Sequence, residues 1–320
     1  MNVLMEKRKK PETALFCACC LLMTAGLIVL SLSSHAPAAS PVIAQADGYT
    51  IERSAPALTG PGITISRRTL LQGTLMLVSG AHPLPKDFPP PDTRSVRALV
   101  GSYLPASEET LLCQEAVYAL CRLQTDHSLH GLATLENGAV SAAQQEQLRQ
   151  EAFERYRKVY PLSEAVEKAH AAVPGGGESE HQLGYAVDIS LTGPLALGSS
   201  DPLLRTETGK WLSDNLWRYG FIRRYNGSSG EEGACEHIHL RFVGTFHAAA
   251  MHALHMTLEE YLALLRAEGS LTLAKDGQPV AYFYCAPCQG SWTLPLPANA
   301  AVTCSADNTG WAIAAVEIRK

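Results

Sequence analysis

At 320 residues, with 46% hydrophobic and 18% charged side chains, the chain has the composition of a globular protein able to fill a sizeable core. The formal net charge is -5, and because residues 1 to 12 carry Lys7, Arg8, Lys9 and Lys10 against Glu6 and Glu12, the remainder stands at about -7. That balance argues against a nucleic-acid partner, which would call for a basic surface.

The basic cluster precedes an apolar run from Ala14 to Leu32. At a helical rise of about 1.5 Å per residue such a run nearly spans a hydrocarbon core of roughly 30 Å. Positive charge on its amino-terminal side keeps that end in the cytoplasm and places the chain beyond the run on the outer side. Residues 1–33 are therefore expected to be an uncleaved membrane anchor, the alternative being a signal cleaved near Ala36-Pro37-Ala38. Residues 34–65, rich in Ala, Pro, Ser and Gly, read as a spacer. Export makes disulfides possible for Cys113, Cys121, Cys235, Cys285, Cys288 and Cys304, with pairings that the sequence does not assign. Cys285-Ala-Pro-Cys288 reads as a structural disulfide rather than a redox motif or half a zinc site.

A catalytic domain is expected over residues 66–267. Leu71, Leu75 and Leu77 suggest a short strand, and His82-Pro83-Leu84-Pro85 with Pro89, Pro90 and Pro91 an extended path. Ser107 is expected to open a helix with Cys113, Val117, Leu120 and Cys121 on its buried face. A strand is expected around Leu129 to Leu135, then a helix opened by a Ser141/Gln144 capping box, then a shorter one from Ser163 to Ala172. Pro174-Gly175-Gly176-Gly177 breaks the helical pattern. Thr206 to Tyr219 reads as a helix ended by Gly220, Phe221 to Tyr225 as a strand, and Thr257 with Glu260 as the cap of a last helix. Beyond Gly269, short strands separated by turn residues suggest a small β domain over 268–320.

Two stretches carry chemistry: Ser179-Glu180-His181-Gln182-Leu183-Gly184-Tyr185-Ala186-Val187-Asp188 and Glu236-His237-Ile238-His239-Leu240-Arg241. They offer His181, Asp188 and His239 as ligands for one Zn2+ ion, with a position left for water. Gly184 and Ala186 permit close backbone approach, and Val187 and Ile189 place Asp188 at the start of a buried strand. Glu236, three residues before His239, can reach metal-bound water without ligating the ion, as a general base must.

The pattern Ser179-x-His181-x-x-Gly184-x-Ala186-x-Asp188, followed by Glu236-x-x-His239-x-Arg241-Phe242-Val243-Gly244, resembles the D-alanyl-D-alanine carboxypeptidases of the VanY-like zinc peptidases. The resemblance runs from about Leu70 to Arg266. It implies an α+β fold with a small antiparallel sheet flanked by helices, zinc on His181, Asp188 and His239, and Glu236 as base and proton shuttle. The implied substrate is the D-Ala-D-Ala end of a peptidoglycan stem peptide, with Ser141, Ser179 and Arg241 as substrate-side candidates. Two departures stand out. Val140 occupies the position of the family's substrate-steadying Arg, and His237-Ile238 replaces the usual Pro-Trp. His237, His247, His252 and His255 are weaker candidates for a role near the site. The expectation is an anchored extracytoplasmic zinc carboxypeptidase; the alternative, motivated by Val140, is a catalytically weakened wall-binding or regulatory module on the same fold.

Overall fold

The computed structural model describes residues 42–100, 110–127, 129, 131–192, 201–224 and 237–319. The expected anchor, Ser107 and the segment 225–236 lie outside the described residues. Among those described, no helix is long and apolar enough to cross a membrane.

In chain order, β1 (Val42–Ala46), β2 (Tyr49–Arg53) and β3 (Ile63–Ile65) precede α1 (Arg67–Leu71), β4 (Thr93–Ser95) and α2 (Val96–Val100). Then come β5 (Leu111–Cys113), α3 (Gln114–Asp126), β6 (Ala133–Leu135), α4 (Ala142–Arg157), α5 (Leu162–Ala172) and β7 (Ala186–Leu191). α6 (Glu207–Asn215), β8 (Phe221–Arg223), β9 (Ile238–Phe242), α7 (Thr245–Leu254) and α8 (Leu258–Glu268) come next. The chain closes with β10 (Ser270–Lys275), β11 (Gln278–Pro287), β12 (Trp292–Leu294), β13 (Val302–Ala306) and β14 (Trp311–Glu317).

Two antiparallel sheets dominate this mixed helix-and-sheet fold. The smaller has the order β6-β7-β9-β8, and the larger β1-β2-β10-β11-β14-β13. Alternation along β7 and β9 sends Val187, Ile189, Ile238 and Leu240 into a core shared with Val117, Leu120 and Leu123 of α3. Asp188 and His239 are left on the opposite face. A second core packs Ala248 and Met251 of α7, and Tyr261, Leu262 and Leu265 of α8, against Ile51, Leu271, Leu273, Phe283 and Ile313 of the large sheet.

Both expected capping boxes form. Ser141 and Gln144 cap α4, Thr257 and Glu260 cap α8, and each supplies orphan amide donors of a first turn with side-chain oxygens. Other expectations need correction. The Leu71–Leu77 stretch is not a strand: Ser66 caps the single turn of α1, which directs Leu70 and Leu71 inward. α3 begins at Gln114, with Cys113 at its N-cap position, and α5 is preceded by Pro161 rather than capped by Ser163. The helix expected from Thr206 to Tyr219 is α6 followed by a 3-10 turn, closed by Gly220 in the left-handed conformation.

The expected spacer is also revised from residue 42 onward. Asp47 and Gly48 take φ of 52° and 78°, closing a β1–β2 hairpin whose second strand pairs along β10. The strands beyond residue 268 therefore share a sheet with the amino-terminal hairpin, and Val42–Lys320 forms one compact unit rather than a catalytic domain with an appended β domain. Among the described residues, no disulfide joins Cys113, Cys121, Cys285, Cys288 and Cys304. Cys285 alternates inward with Phe283, whereas Cys288 lies beyond the strand, its thiol directed to the Gly290 carbonyl.

Candidate metal centre

The register of two strands builds the centre. Asp188 of β7 stands directly opposite His239 of β9, so their side chains meet as a cross-strand pair on the face away from the α3 core. His181 arrives from a 3-10 turn, Glu180–Leu183, capped by Ser179 and closed by Gly184 at φ 74°. A Cβ at Gly184 would approach Cys113 Sγ to 2.8 Å in a conformation that other residues adopt only with strain. The Cys113 amide donates to the Gly184 carbonyl at 2.8 Å, fixing the turn against the start of α3. Close approach at this glycine is what the sequence suggested.

One atom each from His181, Asp188 and His239 lies within 4.8 Å of the others, a group able to hold a metal ion. His181 Nε2 is 3.3 Å from Asp188 Oδ2, and His239 Nδ1 is 2.8 Å from Asp188 Oδ1. The far side of each imidazole is also engaged: His181 Nδ1 is 2.9 Å from the Gly138 carbonyl and His239 Nε2 is 3.2 Å from Glu180 Oε2. Asn137 donates to Asp188 Oδ2 at 3.0 Å. Burial pushes the Asp188 carboxyl up, but its bonds to His181 and His239 outweigh this and hold it well below the usual range. Burial likewise opposes protonation of His239, yet Asp188 and Glu180 raise it to about 9.

Glu180 is the residue that sequence reasoning missed. Its side chain is 1% exposed and accepts from Arg224 Nε at 3.0 Å, with Arg241 Nη1 3.6 Å away. Arg224 also donates to both carboxylate oxygens of Glu259, at 3.0 and 2.9 Å. Burial raises the Glu180 carboxyl, but Arg224, Arg241 and His239 hold it far below its ordinary value. The available signal was Arg241 itself: a guanidinium between Leu240 and Phe242 in a buried strand requires a carboxylate partner.

The three substrate-side candidates have structural partners of their own. Arg241 is fully buried and donates to the carbonyls of Thr74, Met76 and Phe242, so it braces the fold. Ser179 is buried as the cap of the 3-10 turn. Ser141 caps α4, its Oγ accepting from the Gln144 amide. Val140 adjoins the centre, since its amide donates to the His181 carbonyl at 3.4 Å. His237 lies beside Ser190 at 2.7 Å, while His247 and His252 belong to α7, against the large sheet. Glu236 and Cys235 lie outside the described residues.

The family model described as "VanY: D-alanyl-D-alanine carboxypeptidase" matches residues 109–245. A D-alanyl-D-alanine carboxypeptidase of Enterococcus faecium is 25% identical over 260 residues, covering 79% of this chain and 78% of the relative. The bifunctional D-Ala-D-Ala dipeptidase and D-Ala-D-Ala carboxypeptidase VanXYC of Enterococcus gallinarum is 30% identical over 194 residues, covering 59% of this chain and 93% of the relative. Among solved structures, the vancomycin-resistance D,D-dipeptidase VanXYg in complex with a D-Ala-D-Ala phosphinate analogue shares the fold. Its TM-score is 0.61 at 19% identity, covering 80% of this chain and 98% of that one. The chain belongs to the VanY family of D-alanyl-D-alanine carboxypeptidases.

Proposed function

We propose that the protein is an extracytoplasmic zinc carboxypeptidase that removes the terminal D-alanine from D-Ala-D-Ala ends of peptidoglycan stem peptides. The observation that carries this reading is the convergence of His181, Asp188 and His239 within 4.8 Å on one partly buried face. Two imidazole nitrogens and one carboxylate oxygen suit Zn2+, and three protein ligands leave a position for water. Zinc held there would acidify that water and polarise the scissile carbonyl.

The chain's own residues would do the rest. Gly138 and Glu180 orient the two imidazoles, and Asn137 steadies Asp188. Glu236, three residues before His239, takes a proton from the attacking water and delivers it to the amine of the departing D-alanine as the peptide C–N bond breaks. Ser141, just before α4, is the exposed one of the three candidates for a substrate contact. Export of the catalytic unit rests on the basic flank and apolar run of residues 7–32, which would hold the protein on the membrane with the stem peptide on its outer side.

The full chain is expected to bind about one zinc and to release D-alanine from a stem-peptide mimic. Glu236→Gln should lower release by ~10²–10⁴-fold with zinc retained. A zinc-loaded protein inert on both D,D- and L,D-peptides would sink this reading. One observation favours a second: Val140 adjoins His181 with an apolar side chain at the position where the sequence resemblance implies an Arg, as in a weakened wall-binding module. If Val140→Arg creates turnover that the native chain lacks, the second reading prevails.

A further inference from the structure

We infer that Glu180 is a positioning residue for the metal ligand His239, fixing the imidazole with its proton on Nε2 and its lone pair on Nδ1 toward the centre. The inference rests on the zinc reading above and adds to it a residue outside the ligand set. His239 stands between two carboxylates, Asp188 Oδ1 at 2.8 Å from Nδ1 and Glu180 Oε2 at 3.2 Å from Nε2. Asp188, on the Nδ1 side, also lies 3.3 Å from His181 Nε2, and the metal-capable group comprises His181, Asp188 and His239 without Glu180. An ion held by that group would take Nδ1, the nitrogen beside Asp188, and would leave Nε2 to carry the proton and donate it to Glu180.

Glu180 is fixed in this role from behind. Arg224 Nε holds one of its oxygens at 3.0 Å with Arg241 Nη1 at 3.6 Å, leaving the other oxygen aimed at His239. Arg224 is in turn clamped by Glu259 at the start of α8, and Arg241 by the carbonyls of Thr74 and Met76. Moving Arg224 would break its two bonds to the half-exposed Glu259 carboxylate, and moving Arg241 would strand a fully buried guanidinium, so both resist rotation of the Glu180 carboxylate off the imidazole. A carboxylate on the outer nitrogen of a ligating histidine selects the tautomer and raises the basicity of the inner nitrogen. His181 is served more weakly, by the neutral Gly138 carbonyl at 2.9 Å. The two histidine ligands are therefore unequal, His239 being the stronger donor.

The test uses the full chain loaded with zinc. In the wild type, ¹⁵N NMR of labelled histidines should show His239 with a protonated Nε2 and a metal-bound Nδ1, its Nε2 proton shielded from solvent exchange. Chelator competition should show Glu180→Ala binding zinc ~10–100-fold more weakly than wild type, with Glu180→Gln recovering part of the loss by keeping an acceptor for Nε2–H. Metal bound through His239 Nε2 would overturn the inference even if neither variant folds. Folded variants that bind zinc within twofold of wild type would overturn it while leaving the zinc reading intact. A wild type that binds no zinc would remove both.

Discussion

His239 and His247 lie eight positions apart in the chain, and the two halves of the molecule drive them to opposite states. His239 sits between Asp188 and Glu180, which overcome its burial and raise its pKa to about 9. His247 sits in the second core, stacked on Phe283 with Nδ1 2.8 Å from the Tyr261 hydroxyl, and burial depresses its pKa to about 3. The small sheet devotes one face to charge, supported by Arg224, Arg241 and Glu180. The large sheet and α7–α8 bury apolar surface and one neutral imidazole. Both arrangements enclose a histidine, but only the first joins it to a group able to hold a cation.

The largest effect should come from removing the carboxylate shared by the two ligand histidines. Asp188→Ala should lower zinc affinity by more than ~100-fold, beyond the range associated with outer-sphere partners, because it removes a direct ligand. Its effect on the second core should be small. Equilibrium dialysis against zinc, with near-ultraviolet circular dichroism as the packing control, measures both. Retention of tight binding would break the assignment of Asp188 as the pivot of the centre.

The complementary substitution lies in the other region. Ile51 is fully buried between the β1–β2 hairpin and α7–α8, so Ile51→Ala should cost ~2–5 kcal/mol of stability while zinc affinity stays near that of the wild type. Chemical denaturation of the zinc-free protein reads the first quantity and chelator competition the second. A loss below about 0.5 kcal/mol would mean that the hairpin is peripheral, as a spacer would be.

The sequence made the metal-capable group legible because its spacing is local: His181 and Asp188 flank one turn and the start of one strand, and His239 lies in the strand paired with it. The helix starts at Ser141 and Thr257 were legible for the same reason, since a capping box lies within four residues. What was missed depends on distance. Glu180 acquires its meaning from Arg224 and Arg241, which strands β8 and β9 bring to it. The β1–β2 hairpin was overlooked although Asp47-Gly48 between strand-like runs is a strong local turn signal. The surrounding Ala, Pro and Ser suggested a spacer, and β10, the strand that stabilises the hairpin, lies more than two hundred residues away. The burial of His247 is equally non-local, because Phe283, on which it stacks, belongs to β11 of the large sheet.

The smallest effect concerns proton linkage, where the two histidines should separate by sign. His247 is neutral when folded and takes up a proton only on unfolding. Its contribution is therefore present above the unfolded pKa of about 6.5 and is lost as pH falls toward about 3. The slope cannot exceed one proton, or about 1.4 kcal/mol per pH unit, so roughly 2–3 kcal/mol should disappear between about pH 6.5 and pH 4.5. His239 has the opposite sense in metal-free protein: its contribution is present below about 6.5 and lost as pH rises through about 9. Zinc should reverse that alkaline loss, because the ion replaces the proton on Nδ1 and binds more tightly as the proton leaves. Denaturation from pH 4.5 to 9, with zinc and with chelator, resolves the two limbs. His247→Phe should flatten the acid limb and leave the alkaline limb unchanged, even if losing the Tyr261 hydrogen bond lowers stability at every pH. An acid limb equally steep in His247→Phe would assign that slope to other groups and remove the contrast between the two histidines.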